Sequence, residues 1–122
     1  MKEAGVVLNL DEWPVFWHAP QQRSGGSLPD SRDLWDVLWE HRDDLAGFAH
    51  THPGSGLPGP SHTDLTTFAA VEAGLGMRLL WWIVSSDHVV VLHWNGQGYV
   101  SERVWNEPNW VVLLRRLSET EG

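Results

Sequence analysis

The 122-residue sequence predicts a single α/β domain, residues 1–122, in which helices flank a mixed β-sheet. Three observations favour this class. Short runs rich in valine and tryptophan precede and follow two segments of helical periodicity, a strand of the fully buried type separates those two segments, and three further strands follow in succession. A chain of this length can bury one hydrophobic core without disulfides or other cross-links.

Two strands are predicted at the start of the chain. The apolar runs Ala4 to Leu10 and Trp13 to Ala19 are separated by an acidic pair, as expected of neighbouring strands. Pro14 places the second strand at a sheet edge or marks its first residue, because proline cannot donate to a central ladder. The segment 20–30 is rich in Gly, Pro and Ser and is predicted to be a loop, a candidate rim of an active site.

Two helices and one buried strand are predicted next. Asp30 or Ser31 caps a helix that reaches Arg42, and residues 45–53 form a strand that is small and apolar enough to be buried on both faces. A second helix begins at Ser61 and ends near Gly74 or Gly76. Its predicted packed side carries Leu65, Phe68, Ala69 and Leu75.

The remaining pattern has the alternation of strands. Residues 78–85, 88–94 and 99–105 are predicted strands, and residues 109–119 form either a short helix or a last strand. Nine tryptophans are unusual for this length. We expect most of them in the core or in an edge patch that pairs two copies, with a groove for an extended peptide as the alternative for Trp13, Trp17, Trp81, Trp82 and Trp94.

The composition excludes several classes of function. The chain contains no cysteine, which excludes disulfides, thiolate nucleophiles and Cys-built zinc sites. A net charge of −8 without a basic run argues against nucleic acid as a partner. No apolar run is long enough to span a membrane, and the N-terminal residues do not match a secretory signal, so we expect a cytoplasmic protein that binds no membrane.

The segment HTHPGSGLPGPSHTD carries the strongest chemical signal in the chain. On a strand, residues two apart face the same side, so His50 and His52 can offer two imidazoles to one ion. Pro53 ends the strand, and the loop 54–60 can turn the chain back so that Asp64 becomes a third ligand. Three protein ligands leave a fourth tetrahedral position for water, as in catalytic zinc sites.

A simpler explanation exists for part of this segment. Ser61 and Asp64 have the spacing of a helix capping box, which needs no metal, although one carboxylate can serve both roles. The other histidines are not predicted as metal ligands. His18, His88 and His93 lie on predicted strands without a partner at ligand spacing. His41 lies on the apolar helix face and is expected in the core or behind the ligands, and His62 is expected to be exposed at the start of the second helix.

The segment resembles the JAMM motif of the MPN-plus (JAB domain) zinc metalloproteases of the small prokaryotic type, matching it at His50, His52, Pro53, Ser61 and Asp64. The similarity covers the order of elements over residues 3–105. It implies a sandwich similar to cytidine deaminases and one Zn²⁺ held by the two histidines and the aspartate. It further implies a serine that stabilises the tetrahedral intermediate and an upstream glutamate that acts as general base.

Glu3 is the residue that corresponds to the family's glutamate. The string EAGVVL resembles the family's glutamate, small residue and glycine before an apolar strand, although Glu3 and Gly5 are two positions apart where the family usually has three. The strand and helix that usually precede this glutamate are missing, and a residue so near the start of the sequence is expected to be loosely held. Glu12 and Glu40 are weaker candidates, because both are expected to face solvent.

The resemblance predicts an enzyme, a zinc-dependent peptidase or isopeptidase that is deubiquitinase-like. Its expected substrate is the C-terminal tail of a ubiquitin-like or sulfur-carrier protein, and the protein is expected as a monomer or homodimer. The alternative is a catalytically silent MPN-type binding module that retains its metal site. Another zinc hydrolase on the same scaffold is a third possibility, but the Cys ligands of zinc deaminases and the His-Glu-x-x-His string are both absent.

Overall fold

The computed structural model describes residues 1–119 as a six-stranded sheet with three helices, which confirms an α/β domain with a mixed sheet. The strands are β1 (Gly5–Asn9), β2 (Pro14–His18), β3 (Leu45–Thr51), β4 (Leu80–Val84), β5 (Val89–Trp94) and β6 (Tyr99–Arg103). The helices are α1 (Arg32–Glu40), α2 (His62–Leu75) and α3 (Asn109–Glu119). Of the two options for residues 109–119, the helix is therefore the correct one.

The sheet has the strand order β2-β1-β3-β4-β5-β6. Only β3 and β4 pair in parallel, and the other neighbours in this sheet are antiparallel. A parallel pair needs a crossover connection, which α2 supplies here. The carboxyl end of β3 and the first turn of α2 consequently lie at the same edge of the sheet. β2 is an edge strand with Pro14 as its first residue, as predicted.

Apolar side chains cover both faces of the sheet. On one face, residues of α1 and α2 pack against Phe48, Trp81 and Ile83, and on the other face α3 packs through Trp110, Val111 and Leu114. All seven residues of β3 are buried, in agreement with a strand covered on both sides. β3 is therefore packed between helices on both faces of the sheet.

The helix ends follow the predicted capping signals. Ser31 caps α1 by accepting a hydrogen bond from the Leu34 N–H at 3.1 Å, and α1 ends at Glu40, two residues before the predicted end. Gly76 ends α2 in the left-handed conformation. None of the helices within residues 1–119 combines the length and the apolar character needed to cross a membrane.

Two details of burial differ from the sequence prediction. The stripe assigned to the packed side of α2 contained Ala69, which is exposed, while Glu72 is buried. Glu72 is accommodated because four hydrogen-bond donors surround its carboxylate, which the apolar pattern could not reveal. The tryptophans differ in burial, since Trp81 and Trp82 are core residues whereas Trp13 is 69% exposed.

Candidate metal centre

The two histidines of the HTHP segment lie side by side at the end of β3. Their Nε2 atoms are 3.0 Å apart, and His50 is buried while His52 is partly exposed. The His52 N–H donates to the Val84 carbonyl at 2.9 Å, which extends the backbone pairing with β4 one residue beyond β3. His52 therefore keeps the extended conformation that places both rings on one face.

The first turn of α2 brings Asp64 to this pair. Asp64 Oδ2 lies 3.0 Å from His52 Nε2, and Asp64 Oδ1 lies 3.3 Å from His50 Nε2. The same carboxylate accepts the Ser61 N–H at 2.9 Å, while Ser61 Oγ accepts the Asp64 N–H at 3.0 Å. The structure therefore brings the three predicted ligands together, and the capping box and the cluster share one carboxylate.

The loop that joins His52 to Asp64 is anchored to the turn between β4 and β5. Ser85 Oγ donates to the Gly56 carbonyl at 2.6 Å, and the Gly56 N–H donates to Asp87 Oδ1 at 2.8 Å. Gly56 has φ +95°, a conformation that favours glycine. Sequence analysis missed Ser85 and Asp87, because nothing local links residues about 30 positions from the loop.

Glu3 lies beside the same two imidazoles. The side chain is 8% exposed, and its carboxylate oxygen and the ring nitrogens of His50 and His52 all lie within 4.8 Å of one another. The register explains this placement, because Gly5 is paired with His50 and Glu3 precedes it on the same chain segment. Glu12 and Glu40, the other acids considered, are exposed.

The backbone around Glu3 is firmly held, contrary to the expectation of a loose terminus. The Ala4 N–H donates to Thr51 Oγ1 and the Thr51 N–H donates to the Ala4 carbonyl, both at 2.9 Å. Thr51 Oγ1 in turn donates to Ser118 Oγ at 3.1 Å, and Arg23 Nη1 donates to the Glu3 carbonyl at 3.3 Å. Contacts from β3, α3 and the 20–30 loop thus hold this segment.

Gly5 is required by a close approach within the sheet. A Cβ at this position would lie 2.1 Å from the Phe48 ring, which real atoms cannot tolerate. Phe48 is also part of the cavity wall in front of the histidines. The absence of a side chain at Gly5 therefore leaves the space that the Phe48 ring occupies.

A cavity of about 600 Å³ opens in front of the cluster. Glu3, His50, His52, Ser61 and Asp64 all line it. Residues 25–28, from the Gly-rich loop, form part of its wall, so this loop lies at the rim of the cavity. A pocket of this volume is within the range that accommodates small molecules or a peptide segment.

The pKa values of Asp64, His52 and Glu3 are all shifted by the neighbouring groups of the cluster. Burial raises the pKa of Asp64, but hydrogen bonds from His50 and His52 and from the Ser61 N–H outweigh it and hold the pKa far below the usual range. The hydrogen bond to Asp64 raises the pKa of His52. Burial also raises the pKa of Glu3, with the histidines opposing this shift.

The donor set fits a zinc ion. The two ring nitrogens lie 3.0 Å apart, Asp64 Oδ2 lies 3.0 Å from His52 Nε2 and Asp64 Oδ1 lies 3.3 Å from His50 Nε2. A single cation between the three side chains can use a lone pair from each of them. Zn–N and Zn–O distances of about 2.0–2.1 Å give a tetrahedral edge of about 3.3–3.4 Å. Glu3, His50 and His52 also form a possible metal-binding triad, so two carboxylates compete for the third position.

The remaining histidines have other surroundings. His18 is buried and its Nε2 donates to the Pro29 carbonyl at 2.6 Å, while His62 is exposed at the start of α2. His41 and His88 pair with the neighbouring acids Asp44 and Asp87.

No protein-family model matches this chain, and neither does any curated protein.

Proposed function

We propose that this protein is a JAMM-type zinc peptidase that hydrolyses a peptide or isopeptide bond at the C-terminal tail of a ubiquitin-like or sulfur-carrier protein. The observation that carries the proposal is the convergence of His50, His52 and Asp64 with Glu3 beside them. Two helices on one face of the mixed sheet and one on the other also support a JAB/MPN sandwich as the fold.

In this proposal, His50, His52 and Asp64 hold the ion. Both histidines contact the Asp64 carboxylate at 3.0–3.3 Å, close to the spacing that ligands of one zinc adopt. The capping box supports the role of Asp64, because the Ser61 N–H fixes its carboxylate. Three protein ligands leave one coordination position for water or substrate.

Glu3 and Ser61 carry the chemistry. Zn²⁺, when bound, polarises the carbonyl of the scissile bond and lowers the pKa of a water molecule to about 7. The Glu3 carboxylate accepts a proton from the attacking water and returns it to the leaving amine nitrogen. Ser61 Oγ acts as an acceptor in the capping box, so its hydroxyl hydrogen is available to stabilise the developing oxyanion.

The test uses a ubiquitin-like protein that ends in Gly-Gly followed by a short extension, with cleavage followed by mass spectrometry. We expect one zinc per chain and cleavage after Gly-Gly. His50→Ala and Asp64→Ala should lose the metal, whereas Glu3→Gln should retain it and lose turnover by about 10²- to 10⁴-fold. Glu40→Gln, an exposed acid on α1, is the matched control and should leave both properties unchanged.

A second function is favoured by one observation, the inclusion of Glu3 in the metal-binding triad. If Glu3 were a ligand together with Asp64, four protein groups would close the coordination shell, as in structural zinc sites. The protein would then be a catalytically silent MPN-type binding module. This alternative predicts that Glu3→Gln weakens zinc binding, and that the intact protein cleaves no Gly-Gly tail.

A further inference from the structure

A smaller cavity adjoins the metal-site cavity and is called the side cavity below. It has a volume of about 80 Å³ and shares Leu28, Phe48, Thr67 and Trp81 with the larger cavity as common wall residues. From this shared wall it extends between α1 and α2, where Val71 lines it. A group bound in front of the histidines therefore has the side cavity within reach.

The wall of the side cavity is mostly apolar. Its polar members are His18, Asp30 and Thr67, of which Asp30 is an acid. The buried His18 ring donates from Nε2 to the Pro29 carbonyl, and burial lowers its pKa, which keeps it neutral at pH 7. Asp30 is exposed. An anionic occupant would lose its hydration and meet the like charge of Asp30 at the wall.

The side cavity is larger than the space one water molecule needs. A single water molecule occupies roughly 10–15 Å³. A volume of 80 Å³ can hold several heavy atoms. Concave, mostly apolar spaces with a few polar groups beside a reactive centre are typical of binding subsites.

We propose that the side cavity binds an uncharged aliphatic side chain, such as that of valine, leucine or methionine, from the substrate residue that follows the scissile bond. The inference rests on the proposed peptidase function, since it is the metal site that orients the substrate. It narrows the substrate to a tail in which the first residue after the cleaved bond is aliphatic.

The test measures how hydroxamates bind to the zinc-loaded protein by isothermal titration calorimetry. Acetohydroxamate, isovalerohydroxamate and succinic monohydroxamate share the metal-binding group and differ in a methyl, a branched aliphatic or a charged arm. The isovaleryl compound should bind at least about tenfold more tightly than the acetyl compound, because each buried methylene contributes about fourfold. The succinyl compound should bind no more tightly than the acetyl compound.

Val71→Phe fills the side cavity and should abolish the preference for the isovaleryl arm. Ala70→Phe adds the same ring at an exposed neighbouring position of α2 and should preserve this preference. If Val71→Phe does not fold, Thr67→Leu is used in its place, because the larger side chain narrows the passage between the two cavities at their shared wall. Equal affinity for the acetyl and isovaleryl compounds, or a preference that survives cavity filling, would overturn the proposal.

Isovaleramide, which carries the same arm without a metal-binding group, separates this proposal from the proposed function. With metal-free protein it should shift the NMR signals of Trp35 and Trp81, both of which line the side cavity, and Val71→Phe should remove these shifts. If zinc does not bind but the shifts occur, the peptidase proposal fails, whereas the side cavity is still shown to bind an aliphatic group. If zinc binds and neither shifts nor arm preference occur, only the side-cavity proposal fails.

Discussion

Two buried glutamates, Glu3 and Glu72, are held in opposite ways. Both side chains are nearly inaccessible, with exposed fractions of 8% and 3%. Four groups donate to the Glu72 carboxylate: the Leu79 N–H at 2.9 Å, Trp81 Nε1 and Arg78 Nη1 at 3.0 Å, and the Tyr99 hydroxyl. Burial raises the pKa of Glu72, but these hydrogen bonds outweigh it, so the pKa lies below the usual value.

The Glu3 carboxylate faces two imidazoles and a second carboxylate, Asp64. Burial dominates there and raises its pKa. Burial of an acid therefore does not by itself indicate function. A carboxylate surrounded by donors serves the fold, whereas one facing metal-ligating side chains can bind a cation or move protons.

The largest expected effect is on the folding free energy. Glu72→Ala leaves the buried donors of Leu79 and Trp81 without a partner and should lower the free energy of unfolding by about 3–5 kcal/mol. Glu3→Gln keeps the size and removes a buried charge, so it should change stability by less than about 1 kcal/mol in metal-free protein. Urea denaturation measures both, and equal losses would contradict the comparison.

The second expected effect concerns zinc. Zinc at 100 times its dissociation constant should raise the free energy of unfolding by about 2.7 kcal/mol, because only the folded chain brings the ligands together. This increment should disappear in Asp64→Ala and persist in Glu72→Gln. Thermal or urea denaturation with and without zinc checks it. An increment that survived in Asp64→Ala would show that another group holds the ion.

Thr51 tests how Glu3 is positioned. Thr51→Val removes the acceptor of the buried Ala4 N–H and should cost about 1–3 kcal/mol of stability. The zinc content should stay at one per chain, since neither histidine is altered. Thr66→Val, at an exposed site on α2, is the control and should change stability by less than about 0.5 kcal/mol. Loss of zinc in Thr51→Val would contradict a role confined to the Glu3 segment.

The smallest expected effect is the pH dependence contributed by Glu72. Its folded-state pKa lies below the ordinary value of 4.5, so the unfolded chain binds the proton more readily. Glu72 therefore contributes stability that is present above about pH 4.5 and lost as the pH falls through the folded-state pKa. Urea denaturation between about pH 5 and 3 should give a shallower stability profile for Glu72→Gln than for the native sequence. Identical slopes would contradict this assignment.

Much of the candidate centre could be predicted from short-range patterns. His50 and His52 share a face because strand residues alternate, and Ser61 and Asp64 share a helix turn because of their spacing. Glu3 was identified only by its resemblance to a family pattern, because its distance from His50 depends on the pairing of β1 with β3. Ser85, Asp87 and Thr51 carried no signal that sequence analysis recognised.

Local patterns in the sequence predicted the order of strands and helices as far as β6, the Ser61 cap of α2, and the common face of the two histidines. These features depend on backbone preferences and side-chain periodicity within a few residues. Three features depend on the tertiary structure. They are the position of Glu3 beside the histidines, the burial of Glu72 among hydrogen-bond donors, and the side cavity next to the metal-site cavity. Those outcomes require contacts between segments that are distant in the chain, and such contacts form only when the strands pair and the helices pack on the sheet.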